Sequence, residues 1–239
     1  MKVLIFGASG MVGLGVLREC LVAADVTQVT TVGRSAADTS LFRRDREDAG
    51  FNRAVAGKLR QLAHADMFDY AAIESQLAGY DACFFCLGVS SLGMPEAEYA
   101  RITYDLTLAA ARTLRRLNPT MAFVYVSGAG TDSSEQGRSM WARVKGRTEN
   151  ALLAMGFAGA FMFRPGAMIA MHGARSKTLA YRLLYPLLGP LLPLLRAIWP
   201  DRILSTEIIG LAMLEAARRG AAKGVLESPD IRRLALRGA

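Results

Sequence analysis

The chain has 239 residues, 52% hydrophobic and 21% charged, enough apolar mass for an α/β core and too much for a disordered segment. The net charge is 29 − 21 = +8 at pH 7. No zinc-finger spacing, RNP-type aromatic motif or compact Lys/Arg block accompanies it, and acids interrupt Arg43, Arg44 and Arg46, so nucleic acid is not the expected partner. Three cysteines and two histidines leave no disulfide framework and few metal ligands, so a reduced, cytoplasmic protein without a metal site is expected.

The first predicted element is a buried parallel strand, Lys2 to Phe6. It begins at once and its apolar run is short, so no signal peptide is expected. Gly7-Ala8-Ser9-Gly10-Met11-Val12-Gly13 follows, and an apolar helix pattern continues through Leu14, Val16, Leu17, Cys20 and Leu21. A strand that feeds a glycine-rich turn into a helix N-terminus is an anion site. Gly7 permits the tight turn, Gly10 lets a pyrophosphate reach the backbone, and Gly13 lets helix and strand pack closely. Free N–H groups and the helix dipole hold the negative charge. Ser9, Met11 and Val12 belong to the same cofactor-binding turn.

The second strand, Thr27 to Ser35, carries Gly33-Arg34 at its end. Arg34 lies 34 − 13 = 21 residues after the last glycine. A carboxylate at this point suits the ribose 2′-OH of NAD, whereas an arginine suits the 2′-phosphate of NADP. The alternative is a solvated loop arginine. Residues 36 to 57 read as a polar loop or short helix. A third strand is expected over Leu59 to Ala65, ending at Asp66, and then a short helix from Tyr70 to Leu77.

Asp81 to Leu87 is a strong fourth strand, stopped by Gly88. Its Cys83 and Cys86 match C-x-x-C, but residues three apart on a strand face opposite ways, so both read as core. A long helix over residues 96–117 ends at Asn118-Pro119. Met121 to Val126 is the fifth strand, Ser139 to Leu153 a helix, and Ala158 to Phe163 the sixth strand, broken by Arg164-Pro165-Gly166. This alternation predicts a doubly wound parallel sheet with right-handed crossovers and a small C-terminal helical lobe. Ligands of such sheets sit at the strands' carboxyl ends. Gly7 to Gly10, Arg34, Asp66, Leu87-Gly88, Ser127 and Pro165-Gly166 should therefore line one crevice.

On these residues the chain resembles the short-chain dehydrogenase/reductase superfamily, and more narrowly its atypical branch around the Tat-interacting oxidoreductase. The matching marks are Gly7 to Gly13, Gly33-Arg34, Asp66, Cys86-Leu87-Gly88, Val126-Ser127-Gly128-Ala129, Lys145-Gly146-Arg147-Thr148-Glu149 and Arg164-Pro165-Gly166. They span Lys2 to about Ala216. The resemblance implies that Asp66 holds the adenine amino group, Leu87-Gly88 passes along the ribose, and Lys145 binds the nicotinamide ribose.

It also implies a catalytic Ser, Tyr and Lys, with Tyr and Lys spaced Y-x-x-x-K. The phenol gives a proton to a carbonyl as hydride arrives, and the lysine lowers the phenol's pKa. Ser127 and Lys145 are present, but Trp141 stands at the tyrosine position. An indole N–H donates a hydrogen bond but has no useful acidity. Trp141 is either a platform near the nicotinamide or an ordinary buried aromatic. Tyr99 and Tyr104 are candidate substitute donors, each with a plain helix-residue alternative.

Leu183 to Leu195 is a run of thirteen apolar, Gly or Pro residues flanked by Arg182 and Arg196, with Trp199 beyond. Pro186, Pro190 and Pro193 interrupt it, and it is shorter than the ~20 residues of a spanning helix. The segment 175–205 is read as a lid over an apolar substrate, or as a patch (183–199) for a membrane or a partner. Thr206-Glu207 starts a helix through Leu214, with Gly220 at its end.

The expectation is one NAD(P)-binding domain over 1–239, monomeric or homodimeric. It would be an NADP-dependent oxidoreductase acting on a small, apolar carbonyl or alcohol. The rival reading is an NADPH-sensing regulator or scaffold without turnover.

Overall fold

The computed structural model describes residues 1–39, 57–171 and 201–238. The apolar run of the lid or patch expectation, Leu183 to Trp199, lies outside the described residues, as does most of the polar stretch after Arg34.

The chain opens with β1 (Lys2–Phe6), α1 (Met11–Val22), β2 (Gln28–Gly33) and β3 (Leu59–Ala63). Next come a single 3₁₀ turn, α2 (Glu74–Leu77) and β4 (Ala82–Phe85). Helical residues then run without interruption through α3 (Glu96–Ala100), a π segment (Arg101–Asp105) and α4 (Leu106–Leu117). β5 (Ala122–Val126), α5 (Met140–Leu153) and β6 (Gly159–Arg164) follow. The described C-terminal elements are β7 (Ala167–Ile169), β8 (Ile203–Ser205), α6 (Thr206–Arg219), β9 (Val225–Glu227) and α7 (Ser228–Ala235).

Seven strands form one sheet in the order β3-β2-β1-β4-β5-β6-β9, and every pairing is parallel. β7 and β8 pair separately. The central strands are apolar throughout because both faces are covered, as in doubly wound sheets. Val3, Ile5, Val29, Phe84 and Val124 pack against α1, α6 and α7 on one face. Leu4, Phe6, Val32, Phe85 and Phe123 pack on the other, against the helices that follow β3, β4 and β5. Burying each such side chain contributes about 1.5–3 kcal/mol.

The two faces separate the C-x-x-C pair. Cys83 belongs to one cluster and Cys86 packs against the other, as a three-residue spacing on a strand requires. Burial raises both thiols, Cys86 to about 12, so neither is a ready nucleophile.

Asn118 stops α4 as its sequence suggests. Its side chain donates to the carbonyls of Leu77 (2.9 Å) and Leu114 (3.3 Å) and accepts from the Tyr80 N–H at 2.9 Å. Periodicity did not reveal β7, β8, β9 and α7. β9 has only three residues, but its end sets α7 through a capping box between Glu227 and Asp230, with a proline in the first turn.

Strand order reverses between β1 and β4, where a parallel sheet opens a crevice at its carboxyl edge. Phe6, Phe85, Val126 and Arg164 end the four central strands on that edge.

Candidate functional site

The first wall of the crevice is backbone. Gly7 has φ +81°, and a Cβ there would come within 2.7 Å of the Cys86 carbonyl carbon and the Leu87 nitrogen. Only glycine fits a left-handed conformation so close to the end of β4. At Gly13 a Cβ would lie 2.2 Å from the Gly7 oxygen, so α1 sits directly on the turn. Gly10 differs: among the described residues a Cβ there meets only the Gly7 oxygen, at 3.3 Å. Gly10 is also the N-cap of α1, without a side-chain cap or a first-turn acid. The helix dipole and first-turn N–H groups, including those of Met11 and Val12, therefore make a helix end suited to an anion. Ser9 is exposed beside it, and a Cβ added at Gly88 would meet nothing within 4 Å among the described residues.

Arg34 lies exposed just past β2, without an ion-pair partner among the described residues. Asp66, past β3, is exposed and accepts the Phe68 N–H at 2.9 Å. The Arg101 guanidinium lies 5.0 Å from the Phe68 ring centre.

The second wall is made of side chains. Backbone bonds lace the ends of β5 and β6: Ser127 N–H to Phe163 and Ala129 N–H to Pro165, both 2.9 Å. α5 presses on the loop after β5, where a Cβ on Gly146 would fall 1.7 Å from the Asp132 oxygen. Lys145, half-buried on α5, donates to the Ser127 carbonyl and passes under Gly128. Burial pushes its ammonium down to about 8, against the opposing pull of Glu149.

The Ser127 hydroxyl is engaged by α5 and β6. It donates to Glu149 Oε1 at 2.5 Å, with the Phe163 carbonyl at 3.1 Å. Glu149 is fully buried and Arg164 nearly so. The Arg164 Nε lies 3.0 and 3.1 Å from the two Glu149 oxygens, and its Nη2 also donates to Glu149. The same guanidinium reaches Ser133 Oγ at 2.6 Å and Glu227 at 3.3 Å. This pair carried no role in the sequence reading, although Glu149 stands one helical turn beyond Lys145 and Arg164 precedes Pro165-Gly166. Trp141 lies one turn before Lys145, and its ring edge is 3.4 Å from where a Gly130 Cβ would sit. Tyr99 is buried, and the Arg147 guanidinium lies 4.2 Å from the Tyr104 ring centre.

Together the glycine turn, the switch point and the seven parallel strands define a doubly wound, Rossmann-type fold. Solved structures with this fold include the Bordetella bronchiseptica enzyme WbmF in complex with NAD+. It has a TM-score of 0.64 at 15% identity, over 98% of this chain and 76% of that one. Another is DesIV, a dTDP-glucose 4,6-dehydratase from Streptomyces venezuelae with NAD and TYD bound. Its TM-score is 0.66 at 15% identity, covering 98% of this chain and 79% of that one.

No protein-family model matches the chain. Among curated proteins it is similar to "Protein fmp52, mitochondrial" of Emericella nidulans, 25% identical over 90% of this chain and 86% of that protein. It is also similar to "Protein FMP52-2, mitochondrial" of Scheffersomyces stipitis, 28% identical over 72% of this chain and 67% of that protein. These names overturn the expected cytoplasmic location. That expectation rested on cysteine usage, which reports a reducing setting and does not identify a compartment.

The residues present fit a nicotinamide dinucleotide. A side chain at Gly10 would stand over the uncapped α1 N-terminus, and Gly88 and the Lys145 ammonium lie at the carboxyl ends of β4 and β5 on the same sheet edge.

Proposed function

We propose that the chain is an NADP-dependent oxidoreductase of the atypical short-chain dehydrogenase/reductase type, acting on a small apolar carbonyl or alcohol. The observation that carries this reading is the uncapped α1 N-terminus at Gly10, on the same sheet edge as Lys145. Gly7, Ser9, Gly10, Met11, Val12 and Gly13 would hold the pyrophosphate. Arg34 would meet the 2′-phosphate, Asp66 the adenine, and Leu87-Gly88 and Pro165 the ribose and nicotinamide. The bound cofactor supplies hydride. Support for an apolar substrate comes from Phe68, Val89 and Leu92, large apolar side chains exposed just past β3 and β4.

A second reading, a cofactor-binding regulator without turnover, is favoured by two observations. Trp141 replaces the phenol, and the Ser127 proton is committed to Glu149. One experiment separates the two: NADPH titration of the protein beside NADPH oxidation over a panel of aldehydes, ketones and quinones. Binding with oxidation of any member supports the enzyme, and binding with none supports the regulator. Failure to bind NADPH sinks both.

A further inference from the structure

Resting on the oxidoreductase reading, we infer that Lys145 is itself the proton donor to the substrate oxygen. A serine hydroxyl has one proton, and Ser127 directs it to a buried carboxylate that can only accept while ionised. Its remaining lone pairs can accept from a ligand but cannot support a developing alkoxide. Trp141 offers an N–H that hydrogen-bonds but does not dissociate. Tyr99 and Tyr125 are buried in the core, and burial raises both phenols. Tyr104 lies under Arg147, two residues from Lys145 and therefore on a different side of α5.

Among the described donors on this side of α5, Lys145 has protons left over. One N–H goes to the Ser127 carbonyl, and the other two have no acceptor among the described residues. Its surroundings suit an acid. The loop from Ser127 to Thr131 carries no charge. Glu149 lies one turn away on α5, and Arg164 on β6 already neutralises it. Burial has moved the ammonium into the range where it can both hold and release a proton near neutrality.

The step balances. The carbonyl carbon accepts hydride from a reduced nicotinamide, and its π bond opens towards oxygen. That oxygen takes the proton of one Lys145 N–H bond. The lysine is left as a neutral amine and recovers its proton from solvent. In this scheme Glu149 and Arg164 are positioning residues: they fix Ser127, and the Ser127 carbonyl fixes the ammonium.

The test needs no knowledge of the natural substrate for its first arm. The protein is labelled with [13Cε]lysine and titrated by NMR, and Lys145 is assigned by its loss in Lys145→Met. One lysine resonance should titrate near 8; if Lys145 instead titrates with the bulk lysines, the inference is overturned. The second arm uses Lys145→Arg, which keeps a cation but has no proton to give near neutrality. At NADPH concentrations shown by titration to saturate each protein, it should reduce the same aldehydes and ketones at least ~10²-fold more slowly. Wild-type reduction should be flat below the lysine pKa and fall above it, since the acid must be protonated. Wild-type turnover in Lys145→Arg overturns the inference while leaving the oxidoreductase reading intact. NADPH binding with no turnover on the whole panel overturns both.

Discussion

At the end of β1 the crevice is built from backbone: Gly7, Gly10 and Gly13 bring no side chains, and α1 contributes its uncapped N–H groups. At the ends of β5 and β6 it is built from charged side chains, with Glu149 and Arg164 locked together beneath Ser127 and Lys145. The first wall suits a ligand of fixed, high charge, because backbone dipoles hold an anion without titrating. The second suits a group that must change protonation, because desolvation and a paired carboxylate tune Lys145. A glycine turn tolerates little substitution for steric reasons. The polar wall tolerates little because removing Glu149 or Arg164 breaks a buried ion pair.

The sharpest way to break the second wall is Glu149→Ala. It leaves the Arg164 guanidinium with only the long, half-exposed Glu227 contact and frees the Ser127 hydroxyl, and should cost about 3 kcal/mol in denaturant unfolding. A loss under ~1 kcal/mol would mean that the pair is dispensable. Next in size is Trp141→Tyr, which puts a phenol one turn from Lys145. Turnover on simple aldehydes should rise ~10²-fold in steady-state NADPH oxidation, with Lys145→Ala removing the gain. If wild type is already the faster protein, the reading of a vacated tyrosine position is wrong.

Within the first wall, Gly13→Ala should destabilise by about 1–3 kcal/mol, because the new methyl would meet the Gly7 carbonyl. Thermal melts check this, and an unchanged midpoint would show that α1 can slide.

The smallest effect concerns pH. Lys145 has a folded pKa of about 8 against an ordinary 10.5. Between those values the unfolded chain binds more protons, so stability rises with pH across the window. Below it the full desolvation penalty is present. Wild type should therefore gain stability relative to Lys145→Met as pH rises from about 8 to 10.5, measured by parallel urea titrations. Parallel pH curves for the two proteins would contradict the buried lysine.

The first wall was legible in the sequence because it is local. Strand, glycine spacing and helix pattern lie within Lys2 to Leu21, and each glycine has a steric reason that can be argued without tertiary contacts. The β4 run and the stop at Asn118 were legible for the same reason. The second wall was legible only in part. Ser127 and Lys145 stood out through a resemblance, but the direction of the Ser127 hydroxyl depends on Glu149 and Arg164, which meet only after β5, α5 and β6 assemble. The hint available was a carboxylate at i+4 from Lys145, on the same helical face. β9 and α7 were missed because a three-residue strand has no period to read.

The central claim, that the β1 turn holds an NADP-type dinucleotide, is tested most directly by calorimetric titration of NADPH and NADH. The proteins are wild type, Arg34→Ala and Gly10→Val, each checked for native circular dichroism. Gly10→Val should remain folded, because among the described residues a Cβ there meets only the Gly7 oxygen, at 3.3 Å. Wild type should bind NADPH more tightly than NADH. Arg34→Ala should lose about 1.5–3 kcal/mol for NADPH and little for NADH, and Gly10→Val should bind neither. Normal NADPH affinity in Gly10→Val would contradict the account, because the turn would then be an ordinary structural one.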